Sequence, residues 1–130
     1  MFESRLRAAL LVWLQSDPAL SGTLNCITEE APSRAPPPWL GIVASASADW
    51  STKDRQGREV RVALELHGRG SDPGALGDLV SAVERRVASF PRDQAGFAIV
   101  NAIFLRARNE QRPNNQRAIL LEYRFRLLAA

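Results

Sequence analysis

A chain of 130 residues with 17 Lys+Arg against 14 Asp+Glu carries a formal charge of +3, with 45% hydrophobic and 24% charged residues. That balance excludes disordered, collagen-like and membrane-spanning classes and fits one globular unit, long enough to bury roughly two-thirds of its unfolded surface without a disulfide or metal staple. Cys26 is the single cysteine and His67 the single histidine, which excludes an internal disulfide and every multi-cysteine zinc or iron–sulfur site and leaves too few ligands for a structural Cys/His site.

All positive residues but Lys53 are arginines, spread from Arg5 to Arg126. Dispersal of this kind is what a coding bias leaves, whereas a nucleic-acid tail would concentrate the charge in a run. The beginning Met1-Phe-Glu-Ser-Arg-Leu-Arg has no apolar h-region or small-residue cleavage site, so a cytoplasmic protein is expected when made.

Phe2, Leu6, Ala9, Leu10, Trp13 and Leu14 recur at three-to-four-residue spacing and predict a helix ending before Asp17-Pro18. From Ser21 to Pro38 the chain is polar, with Pro32 and the run Pro36-Pro37-Pro38, and an extended loop is expected. Trp39 to Ala46 is apolar enough for a strand buried on both faces. Ala48 to Gly57 then predicts a long hairpin loop, with Gln56-Gly57 offering the positive φ of a turn. Val60, Val62, Leu64 and Leu66 alternate with polar neighbours up to His67, the period of a strand whose even residues face the core.

Ser71-Asp72-Pro73 predicts a cap and an N1 proline, after which Leu76, Leu79, Val80, Val83, Val87 and Phe90 form a second helical stripe. Phe97, Ile99, Ile103 and Leu105 share their parity with Ile119, Leu121, Tyr123, Phe125 and Leu127, and a turn over 111–116 separates the two runs. Pairing odd with odd gathers both apolar faces on the core and puts Arg106, Arg108, Arg124 and Arg126 together on the outer face beside Glu122. The expected fold is α+β: an antiparallel sheet of about four strands with two helices on one face, in a single domain over 1–130.

Chemistry of the catalytic kind finds no constellation. His67 stands at the polar-parity end of a strand without a serine or cysteine motif, and is expected to be exposed. Cys26 sits in the polar loop without a basic neighbour to activate it. No carboxylates are set at a catalytic separation, and Gly68-Arg69-Gly70 lacks the glycine fingerprint of a phosphate cradle. Neither catalytic residues, metal nor cofactor are expected. Two features ask for a partner. The outer arginines repel one another unless carboxylates or anions lie opposite, and a solvated face, a neighbouring subunit and a nucleic-acid backbone are all open. Trp50, in a polar loop, either folds back on its own domain or anchors a partner.

The chain resembles the tail terminator or tail-completion proteins of long-tailed bacteriophages and gene transfer agents. The likeness spans nearly the whole chain: the helix Leu6-Arg7-Ala8-Ala9-Leu10-Leu11 ending at Ser16-Asp17-Pro18-Ala19-Leu20, the strand Pro37-Pro38-Trp39-Leu40-Gly41-Ile42-Val43, the block Asp49-Trp50-Ser51-Thr52-Lys53 followed by Gly57-Arg58-Glu59-Val60, the helix led by Asp72-Pro73, and the closing Tyr123-Arg124-Phe125-Arg126. A tryptophan common where the second strand ends is replaced here by His67-Gly68.

The resemblance implies a non-enzymatic structural subunit that forms a ring, typically a hexamer, on the end of a tail tube. Such a ring stops tube polymerisation and offers the surface that joins a head-tail connector or stopper protein, with DNA passing through the lumen and no membrane contact. Assembly would start in the host cytoplasm and end in the phage or transfer-agent particle at the tail-neck junction. Under this reading Asp49, Trp50, Lys53, Arg55 and Arg58 form a docking or intersubunit loop, and Arg106, Arg108, Arg124 and Arg126 face neighbouring subunits or DNA. Another neck or connector component, or a small nucleic-acid-binding domain, are the alternatives.

Overall fold

The computed structural model describes residues 2–32, 34–70 and 73–130. Helix α1 (Phe2–Gln15) buries Leu6, Leu10 and Leu14 at four-residue spacing, so one stripe meets the core. It stops where Asp17 caps a single turn, α2 (Pro18–Ser21), by accepting the amide of Ala19 at 3.1 Å. The expected loop beyond it contains a strand, β1 (Cys26–Glu29), paired in parallel with β2 (Trp39–Asp49). Asn25 makes this possible: its amide donates to the Pro38 carbonyl at 2.9 Å and its side chain to the carbonyls of Pro36 and Pro37. The carbonyls of the proline run are thereby satisfied.

Strand β2 is buried on both faces only from Trp39 to Ile42 and alternates thereafter. Its partner β3 (Gly57–Arg69) buries Val60, Val62, Leu64 and Leu66, the even face expected. Gly57 has no positive φ. Glycine is needed there for closeness: a Cβ would lie 2.4 Å from the Trp50 carbonyl oxygen and 2.7 Å from that of Leu127. Helix α3 (Pro73–Ala88) follows; the cap expected at Ser71-Asp72 lies outside the described residues. At the end of β3, Gly68 leaves room for α3, because a Cβ there would meet Leu76 Cδ1 at 2.7 Å.

After α3 come the two-residue β4 (Asp93–Gln94) and the long hairpin of β5 (Phe97–Arg112) and β6 (Gln116–Ala129). The sheet has six strands in the order β1-β2-β3-β6-β5-β4, against the four expected. The two extra strands lie at its edges, four and two residues long, too short to leave a periodic signal. The helices pack on one face, where α1, α2 and α3 share one apolar cluster with β2, β3, β5 and β6. Trp13 of α1 donates its indole N–H to the Arg86 carbonyl at 2.7 Å, while the Arg86 Nε donates back to the Trp13 carbonyl and its guanidinium lies 3.5 Å above the indole. This brace joins the two long helices.

The closing hairpin departs from simple parity. Bulges near Val100 and Leu105 each insert one residue into β5. Between them the even residues turn to the core side: Phe104 pairs with Tyr123, whereas Ile103 pairs with Arg124 and is 41% exposed. Ile103 and Leu105 are therefore not core residues of the expected register. A second one-residue shift cancels the first, so Arg106 and Arg108 return to the outer face.

Candidate functional site

On the face away from the helices, alternate residues of β3, β6 and β5 stand side by side. Arg61 lies opposite Arg124, Glu59 opposite Arg126, and Arg106 opposite Glu122. The four arginines expected there are brought together, and carboxylates come with them. Arg106 is bound to Glu122 through Nε at 2.7 Å and Nη2 at 3.3 Å, a two-point contact. Glu59 receives the Nε of Arg126 at 3.1 Å and lies 3.7 Å from that of Arg124. Arg108 approaches Glu110 at 3.5 Å, and Arg112 joins Glu110 at 2.8 Å and Glu65 at 3.4 Å.

These contacts ease the like-charge problem: the four expected arginines all lie beside a glutamate of their own chain, with Arg124 and Arg126 sharing Glu59 and the Arg124 Nε left without a hydrogen-bond partner. The hydrogen bond from Arg106, then its charge, hold the Glu122 carboxyl below its usual 4.5, with Arg108 and Arg61 adding to the effect. Glu59, Glu65 and Glu110 were not singled out from sequence. Their odd parity on β3 and two-residue spacing from Arg108 and Arg112 were the available signals.

His67 is buried rather than exposed, at 9%. Its ring stacks on Trp39 with centroids 4.8 Å apart and planes 4° from parallel. Nδ1 contacts Glu65 at 3.1 Å and Nε2 contacts the Gln116 side-chain oxygen at 2.6 Å. Polar parity did not mean solvent here, because β2 and β6 flank the end of β3 and Trp39 covers it. Cys26 lies on β1, half-buried. Among the described residues no three His, Cys, Asp or Glu side chains gather to hold a metal ion, and no helix is long and apolar enough to cross a membrane.

The β2–β3 loop spans 50–56. Trp50 donates its amide to the Gly57 carbonyl at 3.0 Å, Thr52 to the Arg55 carbonyl at 2.9 Å, and Ser51 bridges Asp49 and the Gly57 amide through its hydroxyl. Lys53 and Arg55 stand exposed at the tip. Arg58 turns toward the helix side, donating to Ser47 at 3.3 Å, and Asp49 and Arg58 line a depression with Phe2 of α1. Trp50 turns the other way: the Arg126 guanidinium carbon lies 5.5 Å from its ring centroid. The loop therefore divides its candidate residues between two faces, and Trp50 folds back on its own sheet. Through that contact the loop and the arginine face meet, a link the sequence did not disclose.

Known proteins can be set beside this geometry. No curated protein matches the chain at a significant level. Among solved structures, a chain from the "Virion of native gene transfer agent (GTA) particle" superimposes with a TM-score of 0.74 at 21% identity, covering 98% of this chain and 96% of that one. At that identity the likeness is one of fold. The profile of the family described as "Tail completion protein gp17" matches residues 8–128. The match begins within α1 and ends one residue short of the end of β6, taking in everything between, and the chain belongs to this family of tail completion proteins.

Proposed function

We propose that the protein is a structural component of a phage-like particle that closes the end of a tail tube as a ring, most simply of six subunits, stops its growth and offers the surface on which a head connector or stopper is joined. Membership of the tail completion family over residues 8–128 carries this reading, and the fold shared with a chain of a gene transfer agent virion supports it. The work needs no catalysis. A heterologous contact that closes on itself makes a ring, and two unlike faces meet two unlike partners.

The subunit has such faces. One carries helices and the other a bare sheet with paired arginines and glutamates. In this reading the loop residues Asp49, Trp50, Lys53, Arg55 and Arg58 dock to the tube or a neighbour. Arg106, Arg108, Arg124 and Arg126 meet neighbouring subunits or line the lumen, where a positive face accommodates passing DNA without reading its sequence. The mature location is the tail-neck junction of the particle, reached from the host cytoplasm.

Light scattering on the purified protein, alone and mixed with the tail tube protein encoded beside it, tests the proposal. The expected result is a closed species near six times 14.3 kDa, present at once or formed on mixing. A monomer under both conditions overturns it and moves the reading to another connector component or a nucleic-acid-binding domain. Particles joined normally by Trp50→Ala, or by the double variant Arg124→Glu with Arg126→Glu, would remove the loop or the arginines from the account.

A further inference from the structure

The six-stranded sheet has an open side along β5. Strand β4 covers β5 only at Phe97 and Ala98, so among the described residues no strand lies beyond it from Val100 to Arg112. An uncovered row of backbone donors and acceptors of this length is a template for strand addition. Three of the large apolar side chains that stand exposed lie on this stretch: Val100 (50%), Ile103 (41%) and Phe104 (47%). Past the second bulge the edge is regular and basic, with Arg106 and Arg108 still 60% and 48% exposed beside their glutamates. The bulges and arginines deter indiscriminate pairing and favour an acidic strand.

The opposite edge supplies one. Among the described residues strand β1 pairs only with β2. It ends at Glu29, followed by Glu30, Ala31 and Pro32, and both glutamates are exposed. Glu29 is ion-paired with Arg7 of α1, and the Ile27 carbonyl accepts from the Gln15 side chain at 2.8 Å, a contact an added strand would replace. With Glu29 held by Arg7, Glu30 carries the negative charge that this end of the sheet offers to the basic β5 edge. The directions of the two edges also agree. β1 runs parallel to β2, and each step from β2 through β3 and β6 to β5 is antiparallel, so β5 runs opposite to β1. When one copy follows another by rotation about a ring axis, β1 of the second meets β5 of the first antiparallel. In that orientation Glu30 opposite Arg106, with Arg108 on its diagonal, brings Pro32 toward Phe104 and Cys26 toward Glu110.

We infer that neighbouring copies join by adding the β1 edge of one, through Ile27 to Glu30, to the β5 edge of the next, through Arg106 to Asn109, so that one sheet runs on from subunit to subunit. The inference deepens the ring reading above and rests on it. The contact is heterologous: neither edge pairs with itself, and closure requires both on every copy.

Charge reversal at exposed positions tests the pairing in the full-length protein, with ring formation followed by light scattering alone and with tail tube protein. Arg108→Glu and Glu30→Arg singly are expected to raise the concentration needed for the ring by about tenfold or more, and the two together in one chain to restore it. In a second experiment Glu110→Cys is oxidised beside the native Cys26. A ladder of covalent multimers ending in a closed species is expected, and it should vanish in a Cys26→Ser background. A wild type that forms rings while Arg108→Glu assembles like it and no ladder forms would overturn the edge pairing and leave the ring reading standing. Dimers alone that persist without Cys26 would show β5 pairing with itself and overturn it too. A wild type that never forms rings would remove the ring reading and this inference together.

Discussion

Tyr123 is the chain's single tyrosine and lies 6% exposed on the core side of β6, edge-on to Phe104 with ring centroids 5.5 Å apart. Burial, aided by the negative charge of Glu84, pushes its phenol up to about 12 from an ordinary 10.0. The neutral form is the one that fits, so the stability it contributes is fully present below pH 10 and lost as pH rises toward about 12. Tyrosinate absorbance should accordingly appear near pH 12 in the folded protein and near pH 10 in denaturant, and a folded-state titration near 10 would contradict this packing. Alternation placed Tyr123 correctly because a whole strand voted together. It misplaced His67 because the covering side chain, Trp39, comes from a neighbouring strand, and a period of two tells which side a residue takes but not what stands over it.

At the scale of elements, the long helices and strands were legible because each repeats its burial pattern several times. β1 was not, because its four residues are held from outside by Asn25 and by pairing to β2, and tertiary support of that kind has no local signature. The bulges in β5 escaped for the opposite reason: they cancel, so residues on either side keep the expected parity while Ile103 and Phe104 exchange faces. The candidate loop was visible as a polar stretch with one tryptophan, whereas its division between two faces depends on the strand ends that carry it. Gly57 sets that geometry, and Gly57→Ala should move the loop. Its Cβ would meet two backbone oxygens, so about 1–3 kcal/mol of stability should be lost, with faster proteolysis at 50–56. A variant with wild-type stability and an uncut loop would show the position to be tolerant.

At the scale of the molecule, all three helices and most strands contribute to one buried cluster, and we expect residues 1–130 to unfold as a single domain. Phe125, the largest of the fully buried side chains, lies near its middle, edge-on to Phe90. Phe125→Ala should cost about 3–5 kcal/mol and shift one cooperative transition as a whole. Circular dichroism in the far and near ultraviolet should follow the same curve in denaturant, and two separated transitions would divide the chain into two units. Outside the Trp39–His67 end, the sheet leaves its second face largely to water, which antiparallel sheets tolerate on one side.

The tryptophans carry a consequence of their own. Trp13 lies under Arg86 between the long helices, Trp39 against His67 at the end of the sheet, and Trp50 beside Arg126 at the loop. Each indole thus sits in a separate zone with a different neighbour, and the chain comes equipped with three intrinsic fluorophores. Keeping one at a time, with the others changed to phenylalanine, would let the emission of Trp50 report on the β2–β3 loop, that of Trp39 on the β1–β2 end of the sheet, and that of Trp13 on the helix brace, without attaching any dye.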